Sequence, residues 1–230
     1  MSYREDFEWG EFEGQFNSIN QNYKELFLRE LVERNIYEKF VEVKEGDIVV
    51  DVGASVGIFT ELIMSKNPKH VYCLEPYGPH FEVLKRNMSI YPNVTCINLG
   101  ISSTPGINQL DNGLDSVIPA DCVTFNQFIK MLNIESIDFL KLDCEGGEYD
   151  IITPDTYQDI CQVTKHISGE WHLSNQNLKA KFCHFRQAVL KNIPDDKIFV
   201  IDGVDIKWSL YNQEFIEHYD EIHLYIDNKW

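Results

Sequence analysis

Apolar residues recur along the chain in two alternating patterns. Continuous apolar runs predict buried strands at Asp47–Val52, His70–Leu74, Val94–Leu99 and Ile137–Leu142, with a less regular one at Val163–Trp171. Apolar residues at helical spacing predict the elements between them. Phe59, Leu62 and Ile63 follow the first strand, and Phe81, Leu84 and Met88 follow Pro79 at a helix start. Phe125, Phe128, Ile129 and Leu132 follow Thr124 and Gln127, which form a capping-box pattern. Leu178, Phe182, Phe185 and Val189 mark a later helix. An earlier helix is predicted from Ser18–Gln21 onward, with Tyr23, Leu26, Phe27 and Leu31 on one face, as a cover for the sheet edge or a lid. Ser102–Pro119, rich in Gly, Ser, Asn and Asp, reads as a long loop. Lys197–Ile201 and Glu221–Ile226 read as two closing strands.

Strands alternating with helices imply an α/β fold with a mostly parallel, seven-stranded sheet covered by helices on both faces. The two closing strands, with no clear helix between them, suggest an antiparallel hairpin at one edge. In such sheets ligands sit at the carboxyl ends of the strands, so the residues just past each strand carry the interest.

At 230 residues the chain suits one large core better than two small ones. A helical extension over 1–40 and a single domain over 41–230 are expected. The net charge of -17 repels phosphate backbones and argues against nucleic acid as a partner. The six cysteines show no close metal-ligand pairing and several lie in apolar runs, which fits free thiols in a reducing compartment. The N-terminus lacks the order of a signal peptide, and no apolar run is long enough to span a membrane. A cytoplasmic protein is expected.

Three segments carry candidate chemistry. Asp51-Val52-Gly53-Ala54-Ser55-Val56-Gly57 joins a strand to a helix through a glycine turn that lets a ligand approach the backbone. It lacks the middle glycine of the dinucleotide fingerprint. Glu75 ends the next strand about 20 residues on, where an acid holds ribose hydroxyls, so the pair indicates a nucleoside-bearing cofactor. Past the fourth strand come Asp143 and Glu145, and the fifth ends in Gly169-Glu170-Trp171-His172. Asp143, Glu145, Glu170 and His172 are expected to converge where a substrate hydroxyl would lie, as a general base or an oxygen-rich Mg²⁺ site requires. For Glu170 and His172 a structural hydrogen bond at a strand end is the alternative. An NAD-dependent oxidoreductase and a non-catalytic nucleoside-binding module are the rival readings.

Val49–Thr60, Leu74-Glu75-Pro76 and above all Ile137–Glu148, with its Lys-x-Asp-x-Glu-Gly-x-Glu order, resemble the FkbM family of methyltransferases. The resemblance runs from about Val41 to His172, with Ser116–Phe125 similar to the family's polar turn and the strand leading into its fourth helix. It implies the class I Rossmann-like methyltransferase fold, S-adenosylmethionine as cofactor, and O-methylation of a sugar, glycan or small metabolite. It places Asp51, Gly53, Ala54, Ser55 and Gly57 around the cofactor's methionine end, Glu75 on its ribose, and Asn98, Gly100 and Ile101 near its adenine. The family is similar in layout to macrocin-type O-methyltransferases, some of which use Mg²⁺. The metal candidates here are Asp143, Glu170 and His172. Asp143 or His172 is the expected proton acceptor, with Glu145 and Glu170 orienting the acceptor or a metal.

Overall fold

The computed structural model describes residues 4, 6–9, 28–111, 117–200, 210 and 212–228. Strands β1 (Ile48–Val52), β2 (His70–Leu74), β3 (Val94–Ile97), β7 (Ile137–Leu142), β8 (Thr164–His172), β9 (Ile198–Val200) and β10 (Glu221–Asp227) form one sheet in the order β3-β2-β1-β7-β8-β10-β9. The first five pair in parallel, and β10 runs antiparallel to both β8 and β9. This is the expected α/β architecture, with seven strands and an antiparallel edge.

Burial on both faces explains the continuous apolar strands. Val49, Val71 and Phe139 point into one core, packed against α1 (Ile58–Ile63) and α2 (Gly78–Met88). Val50, Leu74 and Leu140 of the same strands point into the other, with Phe125 and Phe128 of α3 (Phe125–Leu132) and Phe182 and Phe185 of α6 (Gln176–Ala188). Between those two helices lie α4 (Glu148–Ile151) and α5 (Tyr157–Val163). Phe7, Trp9, Ile36 and Tyr37, all from the expected extension, are buried in the first core. The predicted capping box forms: the Thr124 hydroxyl accepts from the Gln127 amide, and the Gln127 side chain accepts from the Thr124 amide.

Three expectations are corrected. The third strand stops at Ile97 because Asn98 turns away, donating its side-chain amide to the carbonyls of Glu75 and Pro76. The long polar segment is not a loop throughout: β5 (Gly106–Asp111) and β6 (Val117–Val123) pair antiparallel, and β6 also pairs with the short β4 (Gly100–Ile101) in a second sheet. Ile118, Ala120 and Cys122 turn inward on β6, while Val117, Pro119 and Asp121 face out. Pro119 is tolerated because β4 covers only Cys122 and Val123. A helix, α7 (Gln213–Glu217), does lie between the closing strands, and β10 inserts between β8 and β9. Of the first predicted helix, Ser18 to Phe27 lies outside the described residues, and Leu31 sits in a π-helical segment, Leu28–Arg34.

Candidate active site

The glycine turn packs onto the end of β7. A side chain on Gly53 would place its Cβ 1.7 Å from the Asp143 carbonyl oxygen, and its φ of +76° is left-handed. The glycine is therefore required by the close approach of two backbone segments. Gly57, with φ +93°, caps α1, and its missing side chain makes room for Leu84 and Met88 of α2.

The turn spends most of its own amides. The N–H groups of Gly53 and Ala54 both donate to the Leu74 carbonyl, and Gly57 donates to the Ala54 carbonyl. Ser55 donates its amide to Glu75 Oε2 at 2.8 Å, and Tyr77 donates to Glu75 Oε1 at 2.7 Å. Glu75 thus ties the turn to the end of β2. Burial pushes its carboxyl up to about 7, against the pull of those two amides. Ala54 is buried, and Gly100 and Ile101 are buried strand residues of the second sheet, with Gly100 against Cys122 and Leu110.

Asp51 is fully enclosed, at 0% exposure. Thr60 donates its hydroxyl to Oδ2 at 2.8 Å, and Lys141 Nζ lies 3.1 Å from Oδ1. Lys141 also donates to the Gly53 carbonyl at 2.8 Å and stands 3.6 Å from Asp143 Oδ2. Burial alone would lower the Lys141 pKa, but Asp51 and Asp143 outweigh it and hold the ammonium above its ordinary value. Tyr37 donates its hydroxyl to Asp143 Oδ2 at 2.6 Å. Against its own burial, Lys141, His172 and Tyr37 bring Asp143 below the usual carboxylate value. Asp51 is therefore an internal partner of Lys141 and Thr60.

Beyond Asp143, four side chains share one face of β8 and β10. The antiparallel register sets Glu170 opposite His223 and His172 opposite Glu221. Trp171 and Ile222, between them in each strand, turn into the core. Glu170 Oε1 lies 3.4 Å from His172 Nε2, and Oε2 lies 3.1 Å from His223 Nε2. His172 Nε2 is also 3.2 Å from Glu145 Oε2 and 3.9 Å from Asp143 Oδ1. On its other side His172 Nδ1 meets Glu148 Oε1 at 3.2 Å. Glu148 is completely buried, and the same oxygen accepts the Cys144 and Gly146 amides.

The charges here are tightly linked. Burial works against the His172 imidazolium, yet Glu148, Asp143 and Glu145 hold its pKa well above the ordinary value. Burial, with Asp143 and Glu221, pushes Glu170 well up despite His172. Glu145 has φ +53° and a side chain 44% exposed; burial raises it to about 7 against the pull of His172.

Asp143, Glu145, Glu170 and His172 are thus brought together as expected. Lys141, Tyr37, Glu148, Glu221 and His223 are functional neighbours that the sequence reading passed over. Lys141 carried a signal, since a lysine inside Phe-Leu-Lys-Leu demands a buried partner. So did the repeated Glu-x-His of Glu170-Trp171-His172 and Glu221-Ile222-His223, which puts both polar residues on one strand face.

Strand order and the antiparallel edge are those of the class I Rossmann-like methyltransferase fold. The chain belongs to the methyltransferase FkbM domain family, which it matches over residues 51–195. A solved FkbM methyltransferase from Methylobacillus flagellatus KT superposes with a TM-score of 0.53 at 16% identity, covering 83% of this chain and 46% of that one. Among curated proteins, a ribosomal RNA small subunit methyltransferase A of Sulfurihydrogenibium sp. is 36% identical over 70 residues, 29% of this chain and 27% of that protein. The AMB antimetabolite synthetase AmbE of Pseudomonas aeruginosa is 23% identical over 188 residues, 59% of this chain and 9% of that protein. The chain therefore spans well under half of either relative. Family membership sets aside the oxidoreductase reading. Among the described residues no helix is long and apolar enough to cross a membrane.

Proposed function

We propose that this methyltransferase moves the methyl group of S-adenosylmethionine to a hydroxyl oxygen of a sugar, glycan or small metabolite. The observation that carries the reading is the cluster of Asp143, Glu145, Glu170 and His172 at the carboxyl ends of β7 and β8, beside the glycine turn. The donor supplies an electrophilic methyl on a cationic sulfur, and a crevice rich in carboxylates complements that charge. Glu75 fits a ribose: each of its oxygens accepts one amide, which leaves further lone pairs for a diol. The turn amides of Gly53, Ala54, Ser55 and Gly57 are engaged internally, so these residues shape the cradle instead of binding through their N–H groups.

Methyl transfer to an alcohol needs an oxygen held in line and a place for its proton. Asp143 suits that second task poorly, because Oδ2 already accepts Tyr37 and faces Lys141. Glu145 is the accessible carboxylate of the cluster and takes the proton, with His172 fixing its position. Asp143, Lys141 and Tyr37 are positioning residues. The net charge of -17 favours a neutral or cationic acceptor over a nucleic acid. A cytoplasmic setting fits the six free cysteines.

Calorimetry with S-adenosylhomocysteine, followed by labelled methyl transfer to a panel of glycans, small alcohols and RNA, tests this. Glu145→Gln is expected to bind the cofactor product as wild type does and to lose about 10²-fold in kcat. Binding without transfer to any hydroxyl would favour the non-catalytic module, and labelled RNA would overturn the acceptor assignment.

A further inference from the structure

We propose that Asp143, Glu170 and His172 hold a divalent transition-metal ion, with Glu145 within reach as a fourth donor. This inference goes beyond the methyl-transfer reading and stands on donor geometry. From His172 Nε2, the oxygens of Glu145, Glu170 and Asp143 lie at 3.2, 3.4 and 3.9 Å. Donors that share an ion at about 2.1 Å stand roughly 3 to 4 Å from one another. One oxygen or nitrogen from each of Asp143, Glu170 and His172 falls within 4.8 Å of the others.

A second observation aims the imidazole at this point. Nδ1 faces Glu148 Oε1, a fully buried carboxylate pinned by two backbone amides. Glu148 thus fixes the ring through Nδ1 and turns Nε2 toward the three acids, where a bound ion would take the place of the Nε2 proton. That is how metal-binding histidines are held from behind. The nearby ammonium is already committed: Lys141 serves Asp51 and the far oxygen of Asp143. Behind Glu170 its other oxygen meets His223, and Glu221 completes a second group of three donors around that carboxylate. Glu170 is thereby held with one oxygen facing each histidine.

The donor set selects the ion. Mg²⁺ prefers oxygen ligands alone, whereas imidazole with carboxylates suits the series from Mn²⁺ to Zn²⁺. This revises the Mg²⁺ expectation raised from sequence. A cation there would polarise an acceptor hydroxyl beside Glu145.

The test uses the full chain, stripped with a chelator and titrated with Mn²⁺ while the paramagnetic resonance signal of the free ion is followed. About one Mn²⁺ per chain is expected, unmoved by about tenfold excess Mg²⁺. Glu170→Gln and His172→Gln should each weaken uptake by about tenfold or more. Co²⁺ should give a visible absorption band that His172→Gln alters. Thermal melts identify any variant that fails to fold, and Glu170→Gln, which keeps the side-chain shape, carries the test if His172→Gln does not. Calorimetry with S-adenosylhomocysteine on the same sample separates the two readings. Cofactor binding with no uptake of Mn²⁺ or Co²⁺ would overturn the metal site alone. Uptake unchanged in the variants, or displacement by Mg²⁺, would overturn it as well.

Discussion

Two charged groups lie side by side at the carboxyl ends of the strands, and they are built on opposite terms. Asp51, Lys141 and Asp143 form a closed set: two carboxylates share one ammonium, and Thr60, Tyr37 and the Gly53 carbonyl occupy further positions. Glu145, Glu170 and Glu221 instead surround two histidines with no lysine or arginine among the ion pairs described there. The first group is part of the framework, with only Asp143 Oδ1 turned toward the second. The second crowds carboxylates around imidazoles and displaces their pKa values, which is the pattern of a functional site.

Breaking the first group should cost most. Lys141→Met leaves Asp51 enclosed without its cation, and urea unfolding should report a loss of about 3–5 kcal/mol. Gly53→Ala comes next. Its Cβ would collide with the Asp143 carbonyl, and left-handed backbone strain adds to the clash, for a loss of roughly 3–4 kcal/mol in the same measurement.

Glu75 offers a pH test on the adjoining strand end. Its folded pKa of about 7 lies above the ordinary 4.5. As pH rises between those values the unfolded chain gives up a proton that the folded chain keeps, so stability falls across the window. The fall attributable to Glu75 is about 3 kcal/mol, and Glu75→Gln should remove it when unfolding is compared between about pH 5 and about pH 8. A variant with an unchanged slope would refute the assignment. The smallest effect belongs to the second group. Glu221→Gln should alter stability by less than about 1 kcal/mol, because no buried cation depends on it. A loss as large as that of Lys141→Met would erase the contrast between the two groups.

The sequence made the frame readable wherever burial was complete. The apolar runs at β1, β2 and β7 are enclosed on both faces, and hydrophobicity alone marks them. The β5–β6 pair was hidden for the opposite reason. Its outer face is solvated, with Ile107 75% exposed, and Pro119 imitates a loop. At the site, Asp143, Glu145, Glu170 and His172 could be found because they follow strands in the chain. Tyr37 could not, since it reaches Asp143 from 106 residues away, and no local pattern encodes that contact. The burial of Asp51 and Ala54 was not legible, because proximity to a glycine turn does not tell an inward side chain from an outward one.

The placement of β10 between β8 and β9 also bears on how the molecule assembles. β9 has no direct pairing with β8, so it cannot dock on the growing sheet until a later stretch of chain arrives to bridge them. His223 and Glu221 travel on that bridging stretch. The histidine pair is thus expected to form only once β10 has docked. Refolding followed by separate reporters should find the β1–β2 end of the sheet recovering before the His172–His223 pair.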